Sequence, residues 1–218
     1  MKIKKAAVKP VLVGIVGASA SGKTTMARKI SKKLGKSKTV IISQDQYYKD
    51  WSKVPLKRRQ TINFDHPDSF DFSLMHSHIK ELKRGKPVKA PLYSYKLHKR
   101  LRKKTKISPK RWVIVEGLLV FYKGFLRDLF DMKVYIDVDT ATSLARRIRR
   151  DVKERGESVS SVSSRFFKDV LPMQKEYIEK QRQYAGIVVN SLSTDDEGLL
   201  DRLTQILDAR SAARHKTE

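Results

Sequence analysis

Apolar residues in this chain fall into short, dense blocks separated by longer stretches of helical periodicity. Five blocks stand out, at residues 11–16, 39–42, 112–115, 134–138 and 187–189. Each is rich in Val and Ile and lacks polar alternation, the pattern of strands covered on both faces. Between most of them the spacing predicts helices over 24–34, 122–130, 141–155 and 159–180, with a last one over 198–213. Strands alternating with helices imply an α/β fold with a parallel five-stranded sheet flanked by helices. Ligands of such sheets gather at the carboxyl ends of the strands.

Residues 45–111 break the alternation. They hold Pro55, Pro67, Pro87, Pro91 and Pro109, a predicted helix over 73–84 and a predicted hairpin over 92–107. This is too long for an ordinary connection, which points to a substrate-binding insertion. Nine of the sixteen residues from 96 to 111 are basic. For most of them the reading is a solvated hairpin whose charged edge discourages strand-to-strand aggregation.

Composition narrows the class. A length of 218 residues suits one domain, 1–218, with a substantial core. There is no cysteine, so disulfides, thiolate metal sites and cysteine nucleophiles are excluded, and a reducing compartment fits. No apolar run approaches a membrane span, and the basic residues 1–10 lack the apolar core of a signal peptide. A cytoplasmic protein without a membrane partner is expected. The net charge of +25, from 48 basic against 23 acidic residues, raises nucleic-acid or membrane-surface binding as a rival. The basic residues are dispersed and no recognition module is visible. Non-specific polyanion binding is therefore the expected consequence.

The segment Gly17-Ala18-Ser19-Ala20-Ser21-Gly22-Lys23-Thr24 gives the chain a chemistry. It fits G-x-x-x-x-G-K-[ST], the phosphate-binding loop, and lies between an apolar strand and a helix, as that loop must. Its backbone N–H groups and the helix N-terminus would cradle phosphates, with Thr25 continuing the set into the helix. Lys23 supplies a mobile charge, and the Thr24 hydroxyl suits Mg²⁺. A nucleoside triphosphate is the expected ligand.

Phosphoryl transfer also needs a metal, a base or positioner for the acceptor hydroxyl, and cations over the migrating group. Asp45 follows the second strand and would accept a proton or help hold Mg²⁺; an Asp capping a turn is the alternative. Glu116 ends a buried strand, where an ionised carboxylate is costly unless paired or metal-bound. The arginine-rich stretch 146–156 predicts a helix with 146, 150 and 153 on one face and 147 beside 150. It reads as a lid over the phosphate, with some of its arginines simply solvated. Gly156 reads as its cap or hinge. Asp65, in Asn63-Phe64-Asp65-His66-Pro67-Asp68, would accept two hydrogen bonds from a sugar diol. Tyr93, Tyr95 and His98 alternate on the hairpin, where packing is the competing explanation.

Together these segments resemble the uridine–cytidine kinase family, over roughly residues 11–189. The resemblance rests on the phosphate loop, Gln44-Asp45-Gln46-Tyr47-Tyr48, Asn63-Phe64-Asp65-His66-Pro67, Leu82-Lys83-Arg84-Gly85, Pro91-Leu92-Tyr93-Ser94-Tyr95, Val115-Glu116-Gly117 and the stretch 146–156. It implies a P-loop kinase fold with a small hairpin over the nucleoside and a helical lid at about 146–180. It implies transfer of the ATP or GTP γ-phosphate to the 5′-hydroxyl of uridine or cytidine in pyrimidine salvage. By the same resemblance Asp45 is the base and neighbours Mg²⁺, while Thr24 and Glu116 are metal ligands. Asp65 binds ribose. Phe64, Tyr93, Tyr95 and His98 surround the pyrimidine, with His98 at its edge. Arg147 and Arg150 are lid and phosphate-side arginines. A cytoplasmic homotetramer is implied. Two positions that face the nucleoside in the family depart from its pattern. Glu157 stands where the family has Arg, and Arg165 where it has Gln, so that Arg165 would supply the missing positive charge. Same-fold kinases for phosphoribulose or pantothenate are the nearest alternative, and a basic ATP-dependent nucleic-acid-binding protein is a more distant one.

Overall fold

The computed structural model describes residues 9–59, 61–191 and 196–215, with no side-chain description for 196, 199 and 210–215. The basic segment 1–8 read from the sequence lies outside them. Five strands form one parallel sheet in the order β2-β5-β1-β6-β7: β1 Val11–Gly17, β2 Thr39–Ser43, β5 Trp112–Gly117, β6 Met132–Asp137 and β7 Ile187–Asn190. The central strand β1 is buried throughout, and its residue Val13 lies between Ile114 and Met132.

Alternation of side chains along β1 divides the core in two. Val11, Val13 and Ile15 pack with Met26, Ala27 and Ile30 of helix α1 (Lys23–Leu34), and with Leu200, Leu203 and Leu207 of the last helix. Leu12 and Val16 pack on the opposite face with Ile42, Phe121 and Met75, Ile79 and Leu82 of helix α2 (Phe72–Lys83). Each fully buried aliphatic side chain contributes about 1.5–3 kcal/mol of transfer free energy. Asp71 starts α2 by accepting the N–H of Leu74 at 3.0 Å.

The insertion holds a two-stranded antiparallel sheet separate from the main one, β3 (Val88–Ser94) and β4 (Lys99–Ile107). The hairpin therefore starts earlier than the predicted residue 92. Pro91 lies at a register shift between Pro91 and Tyr93, which hid the strand character of the residues before it.

Two predicted helices are corrected. The stretch 122–130 is helical only over α3 (Gly124–Arg127). Its apolar spacing reflects turns that bury Phe121, Leu126 and Phe130. Helix α4 (Thr140–Arg155) ends at Gly156, whose φ of 70° makes it a left-handed cap. Helix α5 (Val159–Arg165) starts on Ser158. The predicted continuation to 180 is not a regular helix. It runs through wide turns at Phe166–Val170 and Gln174–Ile178, then a tight turn over Glu179–Tyr184. Pro172 has no N–H to give, and the ladder widens beside it, with Leu171 N–H reaching Phe166 O. Helix α6 (Asp196–His215) closes the chain, and among the described residues no helix is long and apolar enough to cross a membrane.

Candidate active site

The phosphate loop joins β1 to α1 at the carboxyl edge of the sheet. Its two glycines have different physical reasons. A Cβ on Gly17 would lie 2.6 Å from the Ile136 carbonyl oxygen and 2.7 Å from Ser21 Oγ, so close packing excludes a side chain. Gly22 has open space around it, but its φ of 97° is left-handed. Ala20 also takes a positive φ, 57°, which completes the curl. Ser19, Ala20, Ser21, Gly22, Lys23, Thr24 and Thr25 line a cleft of about 1730 Å³. Lys23 Nζ donates to the Ala18 carbonyl at 2.6 Å. Burial pushes the Lys23 ammonium below its usual range, while Glu116 and Asp45 pull it back up. The Ser21 hydroxyl is buried without a hydrogen-bond partner.

Parallel register places the carboxylates beside this loop. Glu116 of β5 pairs with Ile15 of β1 on one side and Ser43 of β2 on the other. Asp45 lies in the short turn Gln44–Tyr47 directly after β2. Tyr95, from the end of the hairpin, donates its hydroxyl to Asp45 Oδ2 at 2.8 Å. Burial raises the Glu116 carboxyl above the ordinary range; Lys23 opposes this, and hydrogen bonds from Ser43 and Thr24 do so more weakly. A buried carboxylate destabilised in this way, next to a threonine hydroxyl and a second acid, fits a hard divalent cation. Among the described residues no group of three or more acidic or histidine side chains could hold a metal alone. Mg²⁺ ordinarily takes one or two carboxylates and completes its shell with phosphate and water.

Across the cleft lie Phe64, Asp65, Tyr93, Tyr95 and His98. Asp65 is buried, and burial raises its carboxyl above the usual range against the pull of Arg147. Phe64 stacks on His98 with ring centroids 5.0 Å apart and meets Tyr48 edge-on. The Tyr93 hydroxyl is buried and has no hydrogen-bond partner. His98 sits at φ 44°, and burial lowers its pKa, helped by Arg165, Arg155 and Arg59.

Helix α4 closes the third side. Arg146, Arg147, Arg150, Glu154 and Arg155 line the cleft. Lys153, on the same helix, is exposed. Arg147 is buried; its Nη1 donates to Ser19 Oγ at 2.9 Å and lies 4.0 Å from Asp65 Oδ1. Ser143 Oγ donates to the Ser19 carbonyl at 2.7 Å, a second tie between α4 and the phosphate loop.

Sequence reasoning missed the residue that organises these arginines. Asp151 is fully buried and pairs with Arg147 Nε at 3.4 Å, Arg150 Nε at 2.8 Å and Arg155 Nη1 at 3.4 Å. Burial lowers the Arg150 guanidinium, but the hydrogen bond and charge of Asp151 outweigh it and leave it raised. Arg155 in turn lies over the Tyr95 ring at 5.2 Å. The signal was a single acid at helical spacing from its arginines, read only as part of a charge run. Arg165, expected to supply positive charge at this end, is paired with Glu157. Its Nη1 donates to Glu157 Oε1 at 3.1 Å, and its Nη2 lies 2.8 Å from Oε2, which is buried without a hydrogen bond.

The model of the phosphoribulokinase/uridine kinase family matches residues 12–197. The chain belongs to this family. It is 39% identical over 202 residues to a uridine kinase from Lactobacillus helveticus, covering 92% of this chain and 95% of that one. It is 42% identical over 180 residues to a uridine kinase from Bacillus velezensis, covering 83% and 85%. The fold is shared with phosphoribulokinase from Rhodobacter spheroides at 18% identity and a TM-score of 0.61, covering 84% of this chain and 70% of that one. The P-loop kinase architecture thus serves different acceptors.

Proposed function

We propose that this kinase transfers the γ-phosphate of ATP (or GTP) to the 5′-hydroxyl of uridine or cytidine. The observation that carries this reading is one cleft with two chemically distinct ends. The phosphate loop and Lys23 line one end; Phe64, Asp65, Tyr93 and His98 line the other, and Asp45 stands near both. A polyphosphate fits the first end, and a flat ring bearing a diol fits the second. The names of the relatives at about 40% identity support a pyrimidine nucleoside over phosphoribulose or pantothenate.

In this reading Asp65 accepts hydrogen bonds from the ribose hydroxyls, while Phe64 and the hairpin aromatics hold the base. Asp45 orients the 5′-hydroxyl and takes its proton, with Tyr95 fixing the other carboxylate oxygen. Lys23, Arg147 and Arg150 face the migrating phosphoryl group, where preorganised cations stabilise developing charge. Thr24, Glu116 and Asp45 would hold Mg²⁺, which supplies charge neutralisation across the outer phosphates when bound. Arg165 belongs to the nucleoside end through its pairing with Glu157. A homotetramer in the cytoplasm, with non-specific polyanion binding by the basic surface, completes the proposal.

Asp45→Ala tests the assignment. It should lower kcat by about 10²–10⁴-fold and leave ATP binding, read by equilibrium titration, close to the parent. Parent-like turnover would remove Asp45 from the mechanism.

A further inference from the structure

The acceptor end of the cleft carries an ion pair that phosphoryl transfer does not require. Glu157 follows the left-handed cap Gly156, and Arg165 ends α5. Arg165 Nη1 donates to Glu157 Oε1 at 3.1 Å, and Nη2 lies 2.8 Å from Oε2. Arg165 Nη2 also reaches Ser161 Oγ at 3.4 Å. The pair is not a surface accident. Glu157 is 19% exposed, and both residues line the cleft together with Ser161, Asp169 and His98. Ser161 and Arg165 lie four apart on one face of α5, and Asp169 follows in the wide turn after it. Arg165 is, after burial, the leading influence on His98.

Glu157 Oε2 is buried and makes no hydrogen bond, so it stays open as an acceptor, while Arg165 has given one N–H to Glu157 Oε1 and one to Ser161. What remains to a ligand is an ordered edge: a carboxylate that accepts, followed by outward guanidinium N–H groups that donate. We propose that Glu157 and Arg165 form a specificity-determining pair that reads the acceptor's nucleobase edge and favours an aminopyrimidine ribonucleoside over a pyrimidinedione one. This deepens the function proposed above and rests on it.

Complementarity carries the choice. The edge of an aminopyrimidine runs donor, acceptor, acceptor, from exocyclic amine through ring nitrogen to carbonyl. It matches an acceptor followed by two donors. The edge of a pyrimidinedione runs acceptor, donor, acceptor, and in the same register sets a carbonyl oxygen against the Glu157 carboxylate. Asp169, a second carboxylate lining the cleft, increases that mismatch. One unmet hydrogen bond in a partly buried site is sufficient for about tenfold discrimination.

Steady-state kcat/KM for cytidine and for uridine, measured in the full-length protein, tests the pair. The parent should favour cytidine by about tenfold. Glu157→Gln, which can accept or donate, should bring the ratio close to one. The exchange variant Glu157→Arg with Arg165→Glu keeps an ion pair but reverses its order, and should shift preference towards uridine. A pair that merely braced the hinge would lower both rates together, and the ratio is also independent of how much of a variant folds. A parent that favours uridine, or a ratio unchanged in Glu157→Gln, would overturn the inference while leaving the kinase assignment intact. Absence of turnover with both nucleosides would overturn the nucleoside reading and this inference with it.

Discussion

Asp65 shows how a single residue can trade stability for function. Its carboxyl is held above the usual range by burial, with Arg147 only partly compensating. A group that binds its proton more tightly when folded imposes no cost below the ordinary carboxylate range. The cost appears as pH rises through that range. Asp65→Asn should therefore melt higher than the parent at neutral pH without ligand, by roughly 2–4 °C, and the difference should vanish towards pH 4 and below. The same variant should raise the uridine KM. Calorimetry across pH and initial rates check the two halves separately. A lower melting temperature at neutral pH would mean that pairing with Arg147 outweighs desolvation. Asp65 itself was visible in the Phe64-Asp65-His66-Pro67 segment. Its tie to Arg147 was not, because the two lie far apart in sequence and meet only when α4 crosses the phosphate loop.

Helix α4 is the element on which the cleft depends. Ser143 and Arg147 fasten it to Ser19, and Asp151 gathers Arg147, Arg150 and Arg155. Through Arg155 and Tyr95 the same helix reaches Asp45. Removing a fully buried partner from such a cluster costs about 3 kcal/mol. Asp151→Asn should lose about that much stability in denaturant titration. In the fraction that folds, kcat should fall by about 10²-fold through misplaced arginines, with the ATP KM much less affected. Unchanged kcat would show that the arginines hold their places without the carboxylate. The strands and the longer helices were legible because their apolar periodicity is the signal itself. The wide turns at 166–178 were not, because one proline in a strongly helical pattern reads as a kink and gives no hint of how the ladder adjusts around it. Asp151 was passed over because charge runs on helices are usually solvated.

At the scale of the whole molecule, charge and topology divide the labour. The parallel order β2-β5-β1-β6-β7 brings the phosphate loop, Asp45 and Glu116 to one edge, and the insertion lays the hairpin opposite them. The net charge of +25 is spread more widely. Strand β4 alone carries Lys99, Arg100, Arg102, Lys103, Lys104 and Lys106, several of them exposed. Binding to a short RNA of random sequence should be measurable at low salt. It should collapse between about 50 and 200 mM salt, as counterion release requires; binding that survives high salt and tracks sequence would reopen a nucleic-acid function. The central claim concerns the acceptor. Initial rates with ATP and Mg²⁺ should be compared for uridine, cytidine, their deoxy forms, purine nucleosides, ribulose 5-phosphate and pantothenate. The account predicts turnover of the two pyrimidine ribonucleosides, weaker turnover of the deoxy forms that lack a partner for Asp65, and none with the remaining acceptors. Phosphorylation of ribulose 5-phosphate or pantothenate in preference to both pyrimidine ribonucleosides would contradict it.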